Sequence, residues 1–265
     1  FQETDMIGIS RPIVKHSFVV HDTKDIPRIV QEAFYIATSG RPGPVVIDIP
    51  KDKTDPNHLY DYKREKKVSI RSYQPKALPH PGQIKKASKN ILSAERPVIY
   101  AGGGVILGNA HKELIALNKI LKVPVTNTLM GLGSYPANNK HFMGMLGMHG
   151  TYQANMAMHN ADLIIAIGAR FDDRITNTPA LFAPKARIIH IDVDPASISK
   201  IINADIPIVG QVKESLNALI KEIKRSKLKI DSDAIDSWNS QIAIWRAKHG
   251  LDHELYLKNT KSKMI

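Results

Sequence analysis

The chain has no cysteine among its 265 residues. That excludes a disulfide framework and any zinc or iron–sulfur centre built on thiolates, and it is compatible with a reducing compartment. No apolar run reaches about 18 residues, so no transmembrane helix is expected. The opening FQETDMIG has none of the marks of a signal peptide. Zinc-finger spacing, an aromatic RNP-like strand, an arginine-rich arm, a serine nucleophile elbow and the HExxH pattern are all missing, and so are internal repeats. Acidic residues are in short supply, 25 against 37 Lys plus Arg, for a formal charge of +12. The excess is mostly lysine, spread over KREKK at 63–67, KKASK at 85–89 and KEIKRSKLK at 221–229. Scattered lysine of this kind reads as solvated helix faces and linkers rather than a nucleic-acid site.

What is present is ample material for a core, 43% hydrophobic residues, in short apolar runs that alternate with amphipathic ones. Residues 25–38 carry helical periodicity, the turn Arg41-Pro42-Gly43-Pro44 follows, and PVVIDIP reads as a buried strand. Residues 52–81 are polar and carry four prolines, Pro56, Pro75, Pro79 and Pro81, the signature of a linker or surface crossing. Helices are expected over 82–94, 108–120, 150–160 and 212–226. Strands are expected in PVIYAGGG, VPVTNTLMGLG, DLIIAIGAR, ARIIHIDVD and IPIVG. Strands alternating with helices predict an open, mostly parallel sheet covered on both faces. The last forty residues are charged, with one amphipathic helix at 234–248, and read as a connector.

The segment 144–174, GMLGMHGTYQANMAMHNADLIIAIGARFDDR, concentrates the chemistry. Gly147, Met148, His149 and Gly150 lie in a loop, and Arg170, Asp172, Asp173 and Arg174 follow the most apolar strand. At the mouth of a parallel sheet this mixture suits a ligand with an apolar ring and an anionic end. Mutual salt bridges are the competing account of the Arg/Asp cluster. Gly102, Gly103 and Gly104 end a strand, where bare backbone serves either close ligand approach or simply a tight turn. Asp192 and Asp194 follow RIIHI, as ribose acceptors or as caps of the next turn. His190, inside the strand, is expected to be packed. The paired aspartates make a weak magnesium site, because arginines crowd them.

FQETDMIGISRPIVKHSF, SGRPGPVVIDIPKD, TLMGLGSYP, MLGMHGTYQAN, GARFDDR and HIDVDP together resemble the acetolactate synthase (acetohydroxyacid synthase) large-subunit family, in register over about 1–225. The resemblance implies three α/β domains. Residues 1–52 would be the end of a pyrimidine-binding domain, 53–80 a linker, and 81–225 a central FAD-binding domain with a Rossmann-like sheet. Residues 226–265 would lead toward a diphosphate-binding domain. It implies FAD in the central domain in a structural role, and thiamine diphosphate with Mg²⁺ in the whole enzyme. The implied activity is decarboxylation of pyruvate and condensation of the two-carbon unit with pyruvate or 2-oxobutyrate, in branched-chain amino acid biosynthesis. The implied assembly is a cytoplasmic homodimer or dimer of dimers of large subunits with a small regulatory subunit. Relatives such as glyoxylate carboligase or pyruvate oxidase, or a non-enzymatic flavin-binding module, are the rival readings.

Residue by residue, Arg41 is similar to a flavin-contacting arginine of that family, and Gly102, Gly103 and Gly104 to its glycine turn. Thr128, Leu129 and Met130 match its next ligand-facing loop, and Leu146, Gly147, Met148 and His149 its isoalloxazine-side segment. Gly168, Arg170, Asp172 and Arg174 match the cluster around the phosphate and ribityl chain, and Asp192 the acid at the adenosine end. Phe1, Gln2, Lys51, Met148, Asp173 and Arg174 match the route to the thiamine site. The family's activating glutamate and its GDG-type metal motif have no counterpart in these residues, and both ends read as cuts through a longer protein. The 265-residue chain on its own is therefore expected to make no acetolactate from pyruvate, even with thiamine diphosphate, Mg²⁺ and FAD added. A colorimetric acetoin assay checks this, and turnover above a no-protein control contradicts it.

Overall fold

A computed structural model describes residues 4–57, 59–60 and 67–249. By contact the chain divides into two compact units, residues 1–76 and 77–265.

The first unit contains α1 (Met6–Ser10), β1 (His16–Val19), α2 (Ile26–Thr38) and β2 (Val45–Asp48). The strands pair in parallel, His16 beside Val45 through Val19 beside Asp48, with α2 as the crossover. Pro27 opens α2, where its missing N–H costs nothing. Ile29, Ala33 and Ile36 form its buried stripe. Lys15 closes the other end. Its Nζ donates to the carbonyls of Ile36 and Ser39, each at 2.6 Å, and to the Tyr73 hydroxyl at 2.7 Å. A cation at unsatisfied C-terminal carbonyls is favoured by their charge and by the helix dipole. Tyr73, inside the stretch expected to be linker, is thus tied into the first unit.

The second unit opens with α3 (Pro81–Leu92) and β3 (Pro97–Ala101). Then come α4 (Gly103–Leu107), α5 (His111–Leu121), β4 (Val125–Asn127) and β5 (Phe142–Met145). α6 (Tyr152–Asn160), β6 (Leu163–Ile167), α7 (Asp173–Thr176), β7 (Arg187–Asp192), β8 (Ile206–Val209), α8 (Val212–Arg225) and α9 (Ser232–His249) complete it. The six strands form one sheet in the order β5-β4-β3-β6-β7-β8, and every pair is parallel. Counted within the sheet the order is 3-2-1-4-5-6, that of doubly wound dinucleotide-binding folds. The sheet is thus wholly parallel, as the alternation of strands and helices predicts.

Strand periodicity divides the core between two faces. Leu163, Ile165 and Ile167 of β6 join Ile99, Ala101, Ile189 and Ile191 under α3, α5 and α8. Ile164 and Ala166 point the other way, with Val98, Tyr100 and Ile188, into a cluster shared with α6 and α9. Both faces are covered, which is why β3 and β6 read as unbroken apolar runs.

Two features depart from the sequence expectation. Phe142–Met145 is an edge strand, at a place where no strand is expected from the sequence. Its FMGM lacks β-branched residues, and Gly144 stands at φ +86. The stretch expected to be a charged connector carries α9, which packs into the core. Ile235, Trp238 and Ile242 are buried, and the Trp238 Nε1–H donates to the Pro97 carbonyl at 3.2 Å. The Asp231 carboxylate caps α9 by accepting from the amides of Asp233 and Ala234.

Candidate functional site

Parallel strands bring all their carboxyl ends to one edge, and the expected site residues of the second unit gather there. Gly102–Gly104 follow β3, Thr128–Met130 follow β4, Leu146–His149 follow β5, Gly168–Arg174 follow β6, and Asp192 ends β7. β3 and β6 are neighbours and the chain winds away from them in opposite directions, so the edge between them is the topological switch point.

At that point the two glycine turns touch. The Gly104 amide donates to the Gly168 carbonyl at 2.9 Å. A Cβ on Gly102 would lie 2.2 Å from the Gly168 oxygen and 2.5 Å from the Ala169 Cα. On Gly104 it would lie 2.6 Å from the Gly168 Cα, and Gly168 itself stands at φ +54. The bare backbone of Gly102 and Gly104 therefore serves chain-on-chain contact, the tight-turn alternative. One loop along, Leu129 and Met130 are 68% and 74% exposed.

The β5 loop is joined to the arginine cluster. The Met148 amide donates to the Arg174 carbonyl at 2.9 Å. Asn155, which the sequence reading passed over, clasps Gly147 with its amide at both N–H and C=O, each 3.0 Å. With its backbone so held, Met148 stands 65% exposed. His149 is exposed as well.

Mutual salt bridges account poorly for the Arg/Asp cluster. Arg174 and Asp173 approach only to 3.9 Å with both side chains largely in solvent, a pair worth little. The Arg170 guanidinium is exposed and has no ion pair among the described residues. The Asp172 carbonyl starts α7, accepting from the amides of Ile175 and Thr176 and from the Thr176 hydroxyl. Asp192 is buried, and its carboxylate accepts from the Asp194 amide at 2.8 Å. The Asp194 carboxylate in turn accepts from the Ala196 amide, so this acid does cap the next turn.

His190 is buried, as expected of a packed histidine. Its Nε2 lies 2.8 Å from the Ala169 carbonyl, which can only accept, so that nitrogen carries the proton. Nδ1 is buried without a partner. Burial lowers the pKa of this imidazole, against the pull of Asp192 and of the bond to Ala169. Tyr100, missed as a lone aromatic in an apolar strand, donates its hydroxyl to the Arg170 carbonyl at 3.1 Å. Burial pushes its pKa well up, and Asp172 adds to the shift while Arg170 opposes it.

Of the remaining expected residues, Arg41 and Lys51 are exposed in the first unit, and Phe1 and Gln2 lie outside the described residues. Among the described residues no group of three or more His, Asp or Glu is placed to hold a metal ion. No described helix is long and apolar enough to cross a membrane.

An open parallel sheet with loops converging at its switch point defines the class of doubly wound α/β domains, and comparison with known proteins narrows it. Residues 84–219 match the family model of the thiamine pyrophosphate enzyme central domain, and the chain belongs to that family. It is also similar, over its whole length, to the acetolactate synthase isozyme 3 large subunit of Escherichia coli, at 48% identity over 265 residues, 46% of that protein. The acetolactate synthase large subunit of Haemophilus influenzae is 51% identical over 254 residues, 96% of this chain and 44% of that protein. A probable acetolactate synthase large subunit of Methanocaldococcus jannaschii is 49% identical over 230 residues, 86% of this chain and 39% of that one. The chain thus spans less than half the length of these relatives.

Proposed function

We infer that this chain is the central part of an acetolactate synthase large subunit and that its carboxyl edge holds FAD. The observation that carries the reading is convergence. Five loops singled out by family resemblance are brought by a parallel sheet to one switch-point edge, in a chain 48% identical throughout to such a subunit.

The residues present fit a flavin nucleotide. Leu129, Met130 and Met148 offer exposed apolar surface for a flat ring. The guanidiniums of Arg170 and Arg174 offer forked donors to a diphosphate or ribityl chain. The Asp192 carboxylate closes the row at the end of β7 as an acceptor for ribose hydroxyls. When bound, FAD supplies a rigid filler of this edge rather than net redox turnover. In the whole enzyme, thiamine diphosphate with Mg²⁺ supplies the electron sink for decarboxylation of 2-oxo acids and carboligation. No residue described here is assigned to the metal. The relatives are named large subunits, and the reading includes assembly as a dimer or dimer of dimers with a small regulatory partner.

FAD fluorescence quenching tests the site. Arg170→Ala or Arg174→Ala is expected to weaken binding roughly tenfold, the scale of one lost charge-assisted hydrogen bond. Lys67→Ala and Lys89→Ala, at solvated positions, are expected to change it less than about twofold. Circular dichroism confirms that each variant folds. Equal losses at all four sites would reduce the effect to net charge, and unchanged affinity at both arginines refutes the assigned site.

A further inference from the structure

The turn that carries Arg170 is fastened from beneath by residues of the two strands flanking its own. Tyr100 of β3 pairs with Ala166 of β6, and Ala166 pairs with His190 of β7, so the three form one row across the sheet. Paired residues of neighbouring strands share a face. Phe171 folds back toward that face. Its ring centroid lies 5.5 Å from that of Tyr100 and 5.4 Å from that of His190, meeting the imidazole edge-on at 89°. Alanine at the centre of the row leaves room between the two larger side chains. Tyr100 and His190 then take consecutive carbonyls of the turn, Arg170 at 3.1 Å and Ala169 at 2.8 Å. Tyr100 and His190 have no exposed surface and Phe171 is 5% exposed, whereas the Arg170 side chain is in solvent.

We propose that Tyr100 and His190 are positioning residues that aim the Arg170 guanidinium at the anionic part of the ligand. They do so by fixing the two peptide groups on which that side chain stands. The proposal rests on the FAD reading above and extends it to residues that never touch the ligand. An exposed arginine with no ion pair among the described residues loses side-chain freedom on meeting a ligand, and a rigid base lowers that ordering cost. Both hydrogen bonds come from rigid rings packed in the core, and the neutral Nε2–H form of His190 is the one that can donate while leaving a buried Nδ1 uncharged.

The experiment is a double-mutant cycle read by FAD fluorescence on the 265-residue chain, with hydrogen exchange of residues 168–172 measured without ligand. Tyr100→Phe is expected to weaken FAD about three- to tenfold in the otherwise native chain, and less than about twofold when Arg170→Ala is already present. His190→Gln, whose amide can still donate to Ala169, is expected to retain more affinity than His190→Leu. Exchange at 168–172 rises in Tyr100→Phe while that of β6 and β7 stays unchanged. Equal losses from Tyr100→Phe in both backgrounds, or exchange at 168–172 that does not rise, overturn the proposal. If FAD binds no variant and not the native chain, the FAD reading fails, and the exchange result alone decides whether the two residues fasten the turn.

Discussion

Gly102→Ala is expected to lower the melting temperature of the six-stranded unit by roughly 5–10 °C and to abolish with it the FAD binding proposed above. The added methyl meets backbone on the opposite turn: the Gly168 oxygen at 2.2 Å and the Ala169 Cα at 2.5 Å, with the Ala169 Cβ at 2.8 Å. None of these is the free end of a flexible side chain, so one of the two turns must move. Moving the β6 turn strips it of the Gly104–Gly168 hydrogen bond and disturbs the anchors at Ala169 and Arg170. Overpacking typically costs about 1–3 kcal/mol, and this contact belongs at the upper end. About 2–4 °C is lost per kcal/mol in a unit of this size. Gly82→Ala is the matched control. Gly82 lies in the first turn of α3, and its new methyl meets only the exposed His80 ring, at 3.1 Å. Alanine is the better helix former there, so stability should hold or rise slightly. Similar melting curves for the two variants would show that the turns can part without cost.

Trp238→Ala should be at least as damaging, about 3–5 kcal/mol. The indole is 4% exposed, donates to the Pro97 carbonyl and meets Trp245 edge-on at 5.7 Å. Its removal opens a cavity under α9 and leaves the carbonyl at the start of β3 short of a donor. Trp238→Phe keeps most of the packing and should cost about 1–2 kcal/mol. Ile244→Ala, on the 60% exposed side of the same helix, should lie within about 0.5 kcal/mol of native. Thermal melts of the three variants give this ranking, and a Trp238→Ala chain that melts with the native one would mean that α9 adds nothing to the core.

The burial of Trp238 bears on what could be read in advance. LIIAI and RIIHI announce buried parallel strands because both their faces are covered, and the helices of 81–92 and 212–225 announce themselves by their buried stripes. α9 spaces Ile235, Trp238 and Ile242 as a core stripe, but charged residues on its remaining faces make it read as a connector. The edge strand FMGM is too short and too rich in methionine and glycine to carry a period. The site was legible as a set of loops, since each follows an apolar run. What held those loops was not legible. Neither the fit of Gly102 against Gly168 nor the row Tyr100–Ala166–His190 exists until three strands are in register, and one chain read end to end carries no register.

The lock on Lys15 has a consequence for how the protein is made. Its amine is satisfied by carbonyls of Ile36 and Ser39 and by the hydroxyl of Tyr73, so the first partners lie about twenty residues downstream and the last lies 58 away. During synthesis the β1–β2 pair and α2 can form while that last ligand is still inside the ribosome, and until it emerges the ammonium has one direction open to water. The hydrogen bond from Lys15 to Tyr73 can form only once the proline-bearing stretch has begun to appear. Tyr73 precedes α3 in the chain, so that contact becomes possible before the residues of the six-stranded sheet follow.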